Sequence, residues 1–179
     1  SFMVEEHDAT ALMESLCTVG RAAGIRMAAL LTDMDHPLGQ ALGNALEVAE
    51  VIQALDGPCP DDLREVTLAL ATEMLLLGGV AADAAAARAL LLRLWHDGVV
   101  KQVFRHNLEL QGGDPRVLDD VQRLGRAPHV LAVEAPRAGH VVDVDPLALG
   151  QVVVDLGGGR RQPSDAIDPL VGIVCKHEL

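Results

Sequence analysis

Asp33, Asp35 and His36 fall within one short string, TDMDHPLG at residues 32–39. Two carboxylates beside an imidazole are the raw material of general acid–base chemistry, provided the fold brings them to one reacting atom. The same spacing also suits a turn in which an Asp side chain caps the backbone. A second chemically suggestive string is Gly157-Gly158-Gly159-Arg160-Arg161. Glycines let backbone N–H groups converge on an anion, so this is either a closing loop whose arginines approach a phosphate or a strand-to-strand turn with solvated arginines. Cys17, Cys59 and Cys175 are odd in number and far apart, and His7, His96, His106, His129, His140 and His177 form no HxxxH or Cys/His cluster. Neither a zinc site nor a disulfide framework follows from them.

These residues need elements to position them. Leu12, Leu16 and Val19, with Ala9 and Ala23 on much the same side, give helical spacing over 5–23, ended by Gly20 and Gly24. The apolar run Ile25–Thr32 then reads as a buried parallel strand, which puts TDMDHPLG at a strand's carboxyl end, where ligand sites of open α/β sheets lie. Asn44 and Glu47 have capping-box spacing for a second helix ending near Asp56-Gly57-Pro58. Asp61 and Asp62 open a third, with Leu63, Val66, Leu70, Met74 and Leu77 as its apolar face. A fourth helix runs from Asp83 to Trp95, and a fifth from Gly98 to about Gln111. Beyond Gly112-Gly113-Asp114-Pro115, HVLAVEA and GHVVDVD read as short strands parted by Pro136–Gly139, followed by LALGQVVVDL and a final apolar run, LVGIVC. The expected fold class is α/β, a helix-rich first part followed by a β-rich C-terminal segment. The expected division is 1–111 as part of an α/β domain, 112–128 as linker and 129–179 as the β-rich segment, truncated.

Half of the 179 residues are apolar and 22% are charged, so a folded, aliphatic interior is expected. Aromatic residues make up 2%, which leaves no set of rings for bases to stack on, and the net charge of −12 repels a phosphate backbone; no polymeric nucleic acid is expected as a partner. A small anion is not excluded. No apolar run reaches membrane-spanning length and no signal peptide opens the chain, so a cytoplasmic protein without membrane association is expected. The closing KHEL resembles an endoplasmic-reticulum retention signal, read here as coincidence at a cut end.

The string TDMDHPLGQALGNALEV at 32–48 closely resembles a segment of the pyrimidine-nucleoside and thymidine phosphorylases. LQGGDP at 110–115, LGGGRRQPSDAIDPLVGIV at 156–174 and the opening SFM resemble further segments of that family, in its order. The resemblance implies part of the family's large α/β domain and phosphorolysis of thymidine or uridine to free base and (deoxy)ribose 1-phosphate, with inorganic phosphate as co-substrate and no organic cofactor. It implies a homodimer for the full enzyme. The family's phosphate- and base-holding residues match no position here, so no catalytic residue is assigned and these residues alone are expected to be an inactive fragment that self-associates through exposed strand edges. Some members bind a monovalent cation such as K+, and the matching positions are Leu38 and Ala41, through main-chain carbonyls, and Glu50 through its carboxylate. If Ala41 and Glu50 lay in one helix they would be about 13 Å apart, so the loop has to fold back beside the helix. Phe2 matches a phenylalanine that lines the pyrimidine pocket in some relatives. The alternatives are an AMP-type nucleotide phosphorylase, against which GNALEV argues, and a noncatalytic structural or interaction module.

Overall fold

In the computed structural model, which describes residues 3–176, the chain begins with helix α1 (Glu6–Ala22), its first turn carrying Glu6 and Asp8 and its last turn Arg21, as the helix dipole favours. The chain forms two compact units, one of the residues up to Met34 with Arg64–Asp97, the other of Asp35–Leu63 with the residues from Gly98 onward.

In the first unit, α1 buries Cys17 while Leu16 and Val19 stay exposed. The face in use passes through Cys17 and Gly20, because Met27 folds back over Gly20 so closely that a Cβ there would meet its sulfur at 2.5 Å. Most of α3 (Asp61–Gly78) and all of α4 (Ala84–His96) complete this unit. Asp83 caps α4 by accepting from the Ala86 N–H at 2.8 Å, and Arg88 on α4 holds Glu65 on α3 at 2.7 Å. Here too the buried face is not the expected one: Leu68 and Thr72 are buried, whereas Leu70 and Met74 are exposed. Apolar residues lie on more than one side of α3, so the 3.6-residue period fits more than one phase and does not by itself select the buried face. The run Ile25–Thr32 is neither helix nor laddered strand, and Ile25, Leu30 and Leu31 are exposed. A parallel strand takes its hydrogen bonds from strands distant in sequence, and none among the described residues flanks this one.

The second unit holds α2 (Asn44–Asp56), α5 (Val99–Leu110) and two 3₁₀ turns, Pro115–Leu118 and Val121–Leu124. Its core is Ile52, Val117 and Leu118, with Phe104, Leu108, Val121 and Leu124 packed around them. Lys101 on α5 reaches Asp56 on α2 at 2.6 Å, and Arg105 reaches Asp119 beyond the first 3₁₀ turn at the same distance. The sheet is a two-residue antiparallel pair, β1 (Ala41–Leu42) with β2 (Ile173–Val174), in the register Ala41 to Val174 and Leu42 to Ile173. Helices with a small sheet agree with the α/β class, but the strands expected beyond residue 129 are reduced to β2. Residues 129–145 carry no helix or strand. LALGQVVV is helical instead: α6 (Pro146–Val153) starts where Asp145 accepts from the Ala148 N–H at 3.0 Å with Pro146 in the first turn, then runs into a π turn, Val154–Gly158. A local cap with proline behind it outweighs the β preference of three valines.

Candidate functional site

The loop between Pro37 and Gly43 is held almost entirely by carboxylates accepting from its main chain. Glu50, in the second turn of α2, takes the Gln40 N–H on Oε1 at 2.7 Å. Asp62, in the first turn of α3, takes the Gly39 N–H on Oδ2 at 2.7 Å, and Glu47 takes the Gly43 N–H on Oε1 at 2.9 Å. On the opposite side the Gln40 carbonyl accepts from the Cys175 N–H at 2.8 Å, which extends the β1–β2 pair by one bond. Hydrogen bonds with a charged acceptor are roughly twice as strong as neutral ones, so few contacts fix this short segment.

Two glycines make the close approaches possible. At Gly39, φ is +71° and a Cβ would run into the Glu50 carboxylate; at Gly43, φ is +128° and a Cβ would strike the Val171 carbonyl. Gly43 therefore caps α2 in place of Asn44, and the helix begins at Asn44 itself. The return half of the expected capping box survives as the Glu47 contact, and the Ala45 N–H is satisfied by the Pro169 carbonyl at 2.9 Å.

Leu38, Ala41 and Glu50 are thus gathered around one loop. The loop turns back beside α2 as a common site requires, since the Glu50 carboxylate reaches the main chain at residue 40, between the other two. Glu50 is half-buried, Ala41 is buried and the Leu38 side chain is exposed. Among the described residues no group of three His, Cys, Asp or Glu side chains is arranged to hold a metal ion, so a cation at this loop would depend on main-chain oxygens with one carboxylate. Such all-oxygen ligation suits a hard ion. Phe2 lies outside the described residues. Asp33, Asp35 and His36 are exposed ahead of Pro37, with His36 Nδ1 3.1 Å from the Pro37 carbonyl oxygen.

The glycine–arginine string takes the form of a helix end, with φ of +100° at Gly157, and not a turn between strands. Arg161 is committed to Asp155, whose carboxyl lies below the usual range through its hydrogen bond from Gln151 and then that from Arg161. The Arg161 and Gln162 N–H groups both turn to Asp165. Arg160 is exposed. Asp62 was missed by reasoning from sequence: an acid at a helix start has the dipole as a sufficient explanation, and its partner is 23 residues away.

Residues 140–179 match the family model described as the pyrimidine nucleoside phosphorylase C-terminal domain, which gives the class of the chain's final segment. Over all 179 residues the chain is 36% identical to the pyrimidine-nucleoside phosphorylase of Geobacillus stearothermophilus and, at the same identity, to that of Staphylococcus aureus strain USA300. It spans 41% of the length of each. Along its whole length the chain is thus similar to pyrimidine-nucleoside phosphorylases.

Proposed function

We propose that the chain serves the phosphorolysis of pyrimidine (deoxy)nucleosides. An oxygen of inorganic phosphate bonds to the anomeric carbon, the bond from that carbon to the base nitrogen breaks, and free base and (deoxy)ribose 1-phosphate result. The observation that carries this reading is the identity maintained along all 179 residues to enzymes of that name. The chain supplies one wall of a cleft where phosphate, sugar and base are brought together with little water, and proximity of that kind accounts for much of the rate of a bimolecular transfer. We further assign a monovalent cation, K+ by preference, to the Leu38 and Ala41 carbonyls and the Glu50 carboxylate. The cation would add a fixed positive charge near the phosphate. The donor set supports this, as does the absence of a side chain at Gly39, where a Cβ would take the space of the Glu50 carboxylate. Phe2 is proposed to line the pyrimidine pocket. The working enzyme is proposed to be a cytoplasmic homodimer without an organic cofactor, and the 179 residues by themselves to be inactive and to self-associate.

Phosphate-dependent release of thymine from thymidine and of uracil from uridine tests this. The intact protein is expected to release base only when phosphate is present, and these 179 residues alone to release none above background. Turnover by the 179 residues alone would mean that the reacting groups lie within them; an intact protein inert toward both nucleosides would point to a noncatalytic module.

A further inference from the structure

The three carboxylates around the loop differ in what they hold. Glu50 takes the N–H of Gln40, Glu47 that of Gly43, and Asp62 that of Gly39. Gly39 shares a peptide plane with the Leu38 carbonyl. In a trans peptide the N–H and C=O point in opposite directions, so whatever fixes the Gly39 N–H also aims the Leu38 oxygen. Asp62 sits in the first turn of α3, and its 2.7 Å contact has the length of a charge-assisted bond. At Gly39 the left-handed φ of +71° leaves the backbone with little else to set its direction.

We infer that Asp62 is a positioning residue for the cation loop: it touches no ligand itself, and by holding the Gly39 N–H it turns the Leu38 carbonyl toward the cation. The inference rests on the cation reading above. Glu50 works differently, since it is both a proposed ligand and the anchor of the next peptide plane. Losing Asp62 frees one ligand carbonyl and leaves the Glu50 anchor in place, so cation affinity falls while the loop stays attached to α2.

The test uses the intact protein with Asp62→Ala and Asp62→Asn. Cation binding is read from the rise in melting temperature as KCl replaces choline chloride at constant ionic strength, because a ligand of the native state stabilises it in proportion to its occupancy. Amide hydrogen exchange reports Gly39 and Gln40 separately. Removing a group that orients a metal ligand typically weakens binding roughly 10–100-fold, and a shift of the K+ midpoint in that range is expected for Asp62→Ala. The Gly39 amide should exchange faster while that of Gln40 stays protected. Asp62→Asn keeps an acceptor oxygen and should retain a midpoint within about threefold of the parent. An unchanged midpoint in Asp62→Ala, or equal loss of protection at Gly39 and Gln40, overturns the positioning role alone. An unsubstituted protein that shows no saturable K+ response overturns the cation reading and this inference with it.

Discussion

A methyl group added at Gly39 would run into the Glu50 carboxylate, and φ there is +71°. The first obstacle is the tip of a side chain and can give way only by breaking the bond to Gln40; the second cannot be relieved, because a Cβ in the left-handed region costs about 1–2 kcal/mol. Gly39→Ala is therefore expected to lower unfolding free energy by at least that amount in urea titration. Gly139→Ala, where the added carbon meets nothing within 4 Å, is expected to stay within about 0.5 kcal/mol of the parent. Equal effects at the two positions would mean that the loop does not need its present course. At this scale the sequence was readable where a residue type has one use. Glu47 was identified as reaching back to a helix start, and it does. It was unreadable where a residue has two: Asp62 has a sufficient local reason to be acidic, and its contact with Gly39 depends on where two remote segments meet. Leu38, Ala41 and Glu50 came from resemblance, and no spacing rule would have joined a loop to a residue in the second turn of a helix.

Between α5 and the two 3₁₀ turns, Arg105 pairs with Asp119, while Asp114 receives both Arg116 and Arg123. The hydrogen bond from Arg116 holds the Asp114 carboxyl well below the usual range, and that from Arg105 lowers Asp119. A carboxyl whose folded pKa is depressed contributes stability that is fully present above its unfolded value, about 3.9, and is lost as pH falls through the folded value. Exchange protection over residues 105–124 should accordingly weaken below about pH 4, and added salt should reduce the difference, because these pairs are exposed and screened. Protection that stays level from neutral pH into strong acid would show the pairs to be incidental. Beneath them Leu118 is 2% exposed, and Leu118→Ala is expected to cost about 2–5 kcal/mol, read as lost protection in α2 and α5 together. Helix positions and ends at this scale were legible because caps, glycines and acidic first turns are local. The buried faces of α1 and α3 were not, since each helix carries apolar residues on more than one side and the period alone fits several phases. α6 was readable in principle from Asp145-Pro146, but the valines drew attention to strand.

Across the whole chain the largest departure from expectation is how much apolar surface remains uncovered. Val130, Leu131 and Val133 are 80, 87 and 90% exposed, Val142 is 94% exposed, and no ladder passes through residues 129–145. Sequence patterning identified these runs as β-rich but cannot supply partners for them; a ladder is a property of two segments, and among the described residues only Ile173–Val174 finds one, in Ala41–Leu42. Segments with unpaired backbone groups and apolar side chains are templates for pairing with another copy, and covering apolar area contributes roughly 25 cal/mol per Å². The net charge of −12 opposes such contact over long range, so the two effects separate with ionic strength. Sedimentation of the 179-residue chain is expected to show a mass that rises with concentration, and rises more steeply as salt screens the repulsion. Leu131→Lys combined with Val133→Lys places charge in the pairing run and should restore a monomer at the same concentrations. A monomer throughout the dilution series at high salt, with residues 129–145 protected from exchange, would show that the chain covers these runs by itself.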